Sequence, residues 1–156
     1  MSGAPGDSPA PELDWRQSFV EDLGVLGREG LPRSATRILG WLVVCTPAHQ
    51  TGPELQRGLH LSAGSVSTAT DLLLQLGLIE RTTFPGDRRL HYRLRADAWE
   101  VVLGQRLQVF RQLRQVAEAA AASGGGDNDR LRSMRDFCAR CEREGDRLRT
   151  ELGGPA

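Results

Sequence analysis

A chain of 156 residues has room for one compact domain, or for a small domain carrying a dimerisation element. Its formal charge of zero hides an uneven spread: residues 1–32 hold two arginines against six acids, residues 33–95 eight against four, and residues 96–156 ten of each. Three cysteines, no apolar opening run and no stretch near ~18 apolar residues argue against secretion and membrane insertion, and point to a reducing cytoplasm.

The opening "MSGAPGDSPAP" (residues 1–11) has no apolar periodicity and is expected to be a mobile tail. From residue 12 to 29, Leu13, Phe19, Val20, Leu23 and Leu26 recur at helical spacing, and Gly30 and Pro32 stop that helix. A second helix begins near Arg33 and runs apolar through Ile38, Trp41, Leu42 and Cys45 until Pro47 closes it. Thr51 is a plausible N-cap for a third, barely two turns long, with Pro53 in its first turn and Gly58 as its end. Ser62 caps a fourth over residues 62–76, buried through Val66, Ala69, Leu73 and Leu76 and stopped by Gly77. Its other face, Ala63, Gly64, Ser65, Ser67, Thr68 and Asp71, is small and hydroxylated.

"LIERTTF" and "RLHYRLR" then alternate as strands do, around the turn residues Pro85, Gly86 and Asp87. Beyond Ala96 the pattern is helical again, with one seam through Trp99, Leu103, Leu107, Phe110, Leu113, Ala117 and Ala120. "SGGGDND" interrupts it. A last helix, about residues 129–152, carries Leu131, Met134, Cys138, Cys141, Gly145, Leu148 and Leu152 at alternating steps of three and four, a heptad seam.

This order predicts a mainly α fold with a small β-hairpin (α+β): a winged helix-turn-helix over residues 33–96, flanked by dimerisation helices at residues 12–32 and 97–156. A helix entering the major groove must let its backbone come close, so its outer face needs small donors and acceptors, as Ser62, Ala63, Gly64, Ser65, Ser67 and Thr68 provide. The hairpin beside it lies along the phosphate rail, where Arg81, Arg93 and Arg95 gain by contact. Arg88 and Arg89 sit at its tip, suited to a narrow minor groove, with Asp87 holding a neighbouring arginine. Arg33 and Arg37 are placed to add phosphate contacts. Every basic residue in the chain is arginine, a planar fork that fits phosphates and guanine edges.

The segment "GLHLSAGSVSTATDLLLQLGLIERTTFPGDRRLHYRL" resembles the DNA-binding core of the MarR superfamily of bacterial transcription regulators, and "LPRSATRILGWLVVCTP" with "ADAWE" resembles its GbsR-type branch. The resemblance spans roughly residues 15–115. It implies a winged-helix homodimer joined through its terminal helices, here Leu13, Phe110, Leu131, Met134, Cys138, Cys141 and Leu148. It also implies a reading helix at residues 62–76, a wing-tip Arg89 oriented by Asp87, and a pseudo-palindromic operator in duplex DNA. Many members respond to a small molecule bound between the dimer helices and the DNA-binding lobe, and the GbsR branch is associated with choline or glycine-betaine metabolism.

Three other features carry competing readings. Trp15, Phe19, Trp41, Trp99 and Phe110 suit an aromatic pocket for a quaternary ammonium effector, and each equally fits an apolar helical stripe. Cys138 and Cys141 spell C-x-x-C, but zinc needs two further ligands, so they are core residues on the seam or a thiol sensor. A winged-helix protein-interaction adaptor is the rival to DNA binding, and the arginines on both strands and the tip weigh against it. No catalytic set and no phosphate-cradling loop is present, so neither enzyme activity nor a cofactor is expected.

Overall fold

The computed structural model describes residues 15–26, 30–125 and 128–153; Leu13 and the opening tail lie outside them. Helices α1 (Trp15–Leu26) and α2 (Arg33–Val44) come first, then a two-residue strand β1 (Gln50–Thr51) and α3 (Gly52–Leu59). Helix α4 (Ala63–Gln75), strands β2 (Ile79–Phe84) and β3 (Asp87–Leu94), and the long helices α5 (Ala98–Ala120) and α6 (Asp129–Glu151) complete the chain. It divides into two compact units, one of the described residues up to Arg95 and one from Ala96 onward.

In the first unit α2 is central: α1, α3, α4 and β3 all pack on it. Its buried stripe of Ala35, Ile38, Leu39 and Leu42 meets Val20 of α1, Leu55 and Leu59 of α3, and Val66, Ala69 and Leu73 of α4 within one core. Arg33, an exposed side chain, and Arg37, a half-buried one, are both already paired within the subunit. Both reach Glu21 of α1 at 2.8 Å and fasten the first helix to the second.

The ends of the two short helices follow from local chemistry. Thr51 and Glu54 form a reciprocal capping box: the Thr51 hydroxyl accepts from the Glu54 backbone N–H, and the Glu54 carboxylate accepts from the Thr51 N–H at 2.7 Å. Gly58 is not the stop. It lies inside α3 because a Cβ there would meet the Trp41 ring at 3.1 Å, and the helix ends instead at His60, which takes the left-handed conformation (φ 52°). Ser62 caps α4 by accepting from the Ser65 N–H at 3.1 Å, and Gly77 (φ 71°) follows its end.

The sheet has three antiparallel strands in the order β1-β3-β2, so the hairpin is joined by a strand from before α3. Gln50 pairs with Tyr92 and Thr51 with His91. Pro85 and Gly86 (φ 81°) close the hairpin, and Asp87, expected in the turn, is the first residue of β3, paired with Phe84.

In the second unit α5 and α6 run antiparallel. Leu107 fills the space beside Gly145, Arg111 reaches Asp146 at 2.8 Å, and Arg114 reaches Glu142 at 2.8 Å. Phe110 meets Phe137 edge-on, ring centroids 6.0 Å apart. The chain kinks after α5, where Gly124 takes a positive φ of 115°. Of the expected seams, Leu107, Ala117, Cys138 and Gly145 are buried within the subunit, Leu131, Met134 and Cys141 are half-buried, and Trp99, Leu113 and Leu148 are exposed.

Candidate nucleic-acid interface

Helix α4 turns one side to the core and the other to solvent. Val66, Ala69, Thr70 and Leu73 are buried, with the Thr70 hydroxyl donating to the Val66 carbonyl at 2.8 Å. Ser62, Ala63, Gly64, Ser67, Thr68 and Asp71 are exposed, and Ser65 is half-buried. The Ser62 hydroxyl also donates to Ser65 Oγ at 2.9 Å. A Cβ built on Gly64 meets nothing within 4 Å, so internal packing does not demand that glycine. The first turn of the helix carries no acid, and its Ser65 N–H is taken by the Ser62 cap.

The wing is shaped by a bulge. Between the pairs Thr82–His91 and Phe84–Asp87, β2 contributes one residue and β3 three: Arg88, Arg89 and Leu90. The extra residues bow the strand outward where the two arginines stand. Arg89 is gripped by Asp87 through both carboxylate oxygens, Nη2 to Oδ2 at 2.7 Å and Nε to Oδ1 at 3.0 Å, while its backbone N–H donates to Oδ1 at 2.9 Å. Those bonds from Arg89, its side chain first and its backbone next, and then the His91 ring, hold the Asp87 carboxyl far below the usual carboxylate range. Arg89 remains 65 % exposed.

The other wing arginines divide into two kinds. Arg81 reaches Asp71 on α4 at 3.4 Å, and Arg93 meets its cross-strand neighbour Glu80 at 2.6 Å. Such exposed pairs contribute at most about 1 kcal/mol, so a phosphate competes for either arginine at little cost. Arg88 is exposed and has no carboxylate partner among the described residues.

One cluster escaped the sequence reading. His49 and His91, 42 residues apart, place their Nδ1 atoms 3.1 Å from each other, and His91 Nε2 lies 3.0 Å from Asp87 Oδ2. The usable signal was the strand alternation Asp87-x-Arg89-x-His91, which puts all three on one face. Nothing local announced His49. Among the described residues no group of three or more His, Cys, Asp or Glu side chains converges as metal ligands do.

The five aromatic residues proposed for an effector fall in both units. Trp41 packs against Gly58 and donates its indole N–H to Gln50 Oε1 at 3.4 Å, and Phe110 meets Phe137 edge-on. Trp15 and Trp99 are exposed, at 62 % and 52 %, and Phe19 lies at the surface of α1. Cys138 is buried and Cys141 half-buried on α6. No helix among the described residues is long and apolar enough to cross a membrane.

Comparison with known proteins agrees with this geometry. Residues 29–90 match the MarR family, and residues 97–151 match the MmpR5-like MarR family transcriptional regulators. The HTH-type transcriptional regulator MmpR5 of Mycobacterium tuberculosis is 38 % identical over 129 residues, covering 80 % of this chain and 78 % of its own. A crystal structure described as a transcriptional regulator superposes with a TM-score of 0.70 at 34 % identity, covering 88 % of this chain and 97 % of the other. The chain belongs to the MarR family of DNA-binding transcriptional regulators.

Proposed function

We propose that the protein works in the cytoplasm as a homodimer on a pseudo-palindromic operator. Each subunit lays α4 in a major groove and extends Arg89 into the flanking minor groove. Half-sites then lie about 10 bp apart, near one turn of duplex. The observation that carries this reading is the pairing of a bulk-free, hydroxyl-lined helix face with an arginine that is both exposed and fixed in direction on a bulged wing. A protein-interaction module has no use for that pairing.

The experiment is operator binding by Arg89→Ala across a salt series, on duplexes selected from genomic fragments by the wild-type protein. Loss of one cation per wing lowers the magnitude of the log–log salt slope by about 0.9 for each subunit. Affinity falls at every salt concentration. Wild-type affinity and slope in the variant reject the wing assignment.

A small-molecule effector and a GbsR-type place within the family belong to the same proposal. The segments "LPRSATRILGWLVVCTP" and "ADAWE" support the branch. Trp15 and Trp99 each expose an indole within its own unit, and such rings attract quaternary ammonium groups through their π faces. Arg16 already lies 5.2 Å from the Trp15 ring centroid. Tryptophan fluorescence changes on titration with choline or betaine in this reading, and a flat titration removes the effector while leaving DNA recognition intact.

A further inference from the structure

The inner side of the wing holds a set of contacts that DNA recognition by Arg89 does not by itself require. His91 is only 3 % exposed, yet both of its ring nitrogens are engaged. Nε2 faces the Asp87 carboxylate at 3.0 Å, and Nδ1 faces His49 Nδ1 at 3.1 Å. A carboxylate oxygen only accepts, so Nε2 carries a proton and donates it. The contact between the two Nδ1 atoms is a hydrogen bond only when a single proton lies between them, and in the neutral pair that proton belongs to His49. His91 is then one defined tautomer, clamped between a donor and an acceptor. Its ring is also held by packing, edge-on to His49 at 4.8 Å and to Phe84 at 5.0 Å between centroids.

Asp87 is the next link. Its Oδ2 accepts from His91 on the inside and from Arg89 Nη2 on the outside, while Oδ1 takes the Arg89 backbone N–H and Nε. The Arg89 backbone N–H anchors Oδ1, but without His91 the Oδ2 atom would be held only by a solvent-exposed guanidinium and would turn with it. A buried imidazole bonded from behind removes this freedom. Glu54, in the capping box of α3, stands 3.9 Å from Arg89 Nη1 and adds a second acidic neighbour on the side of the helix pair.

We infer that His91 is a positioning residue for DNA binding: through Asp87 it sets the direction in which Arg89 leaves the wing, with His49 fixing the ring from the other side. The inference rests on the assignment of Arg89 to the minor groove proposed above. It places the orientation of the wing tip in the wing's interior, at a residue that touches no DNA.

A double-mutant cycle tests it on full-length protein and a wild-type-selected duplex. His91→Phe keeps a ring of similar shape and deletes the donor to Asp87, and operator affinity falls about 5- to 10-fold, the scale of one ordinary hydrogen bond. In an Arg89→Ala background the same change costs less than about twofold, because the side chain it orients is gone. His91→Gln, which returns an amide N–H toward Asp87, recovers most of the loss. Imidazole nitrogen spectra of the wild-type protein give a reading that needs no variant: His91 Nε2 is protonated, and an unprotonated Nε2 overturns the inference. So does wild-type affinity in His91→Phe, or an equal further loss when it is added to Arg89→Ala, since His91 then acts on the wing as a whole. If Arg89→Ala itself binds as the wild type does, the minor-groove assignment falls. If Arg89→Ala weakens binding and His91→Phe does not couple to it, the positioning role alone falls.

Discussion

Gly64 and Gly145 both lie inside helices, and their surroundings give opposite reasons for a missing side chain. Around Gly145 the reason is internal: an added Cβ would stand 2.6 Å from Leu107 Cδ1 and 2.9 Å from Cγ, in the middle of the α5–α6 contact. Gly145→Ala is therefore an overpacking substitution, expected to lower stability by about 1–3 kcal/mol in thermal or denaturant unfolding. Leu107→Ala should cost less in the Gly145→Ala background than alone, because it vacates the space the new methyl needs. Gly64 meets nothing within 4 Å, so packing within the subunit does not require it, and the proposed approach of α4 to the groove supplies a reason. Gly64→Ala should leave the fold intact or stabilise it by up to about 1 kcal/mol, since alanine is the better helix former. Under the proposed docking the same variant should bind the operator more weakly, because the added methyl would stand between backbone and groove. A variant that melts higher and still binds fully would show that α4 does not come that close to DNA.

At the scale of single elements, the helix pair depends on how α3 begins. The Thr51 cap and the Glu54 carboxylate satisfy each other's backbone N–H groups, and β1 ends on the same Thr51, so one residue serves strand and helix. Thr51→Ala should cost about 1 kcal/mol. The Glu54 carboxyl is held below its ordinary value, first by the Thr51 backbone N–H, so its contribution is complete above the unfolded carboxylate range. That contribution fades as pH falls through the lowered folded value. In Glu54→Gln the acid limb of the stability curve should accordingly be shallower, which a melting series from neutral to acidic pH measures. These elements also show what was legible in the chain. Ser62 and Gly77 marked the reading helix to within a residue because caps are local chemistry. The end of α3 was misplaced because Gly58 answers to Trp41, a tertiary neighbour, while a histidine took the left-handed position at the helix end. Strand β1 left no trace, since two residues have no periodicity and Gln50 finds Tyr92 only after the chain has folded. The arginines and Asp87 of the wing were visible as types and spacing. Their division into paired and unpaired cations, and the histidines behind them, required the third dimension.

For the whole molecule the decisive contrast is between neutral total charge and uneven surface. Residues 33–95 carry the excess of arginine, so a polyanion meets a positive local field although the chain sums to zero. In the dimer proposed above, one such field per subunit reads half of a symmetric site. The second unit offers a surface for the proposed doubling: α5 exposes Trp99, Val109, Leu113 and Val116, and α6 exposes Phe137 and Leu148, with Leu152 just past its end. Apolar side chains of this size, spread along two helices, are what a second copy covers in an isologous interface. Val116→Glu combined with Leu113→Glu places charges among them without touching Leu107 or Ala117, the α5 residues buried within the subunit. The double variant should keep the helical content of the wild type and sediment as a monomer at micromolar concentration. Its affinity for a full operator should then drop by about two to four orders of magnitude, because the second half-site no longer binds as a tethered event. Affinity for an isolated half-site should change little, since α4 and the wing are untouched. A monomer that still held the full operator with wild-type strength would place all recognition in one subunit.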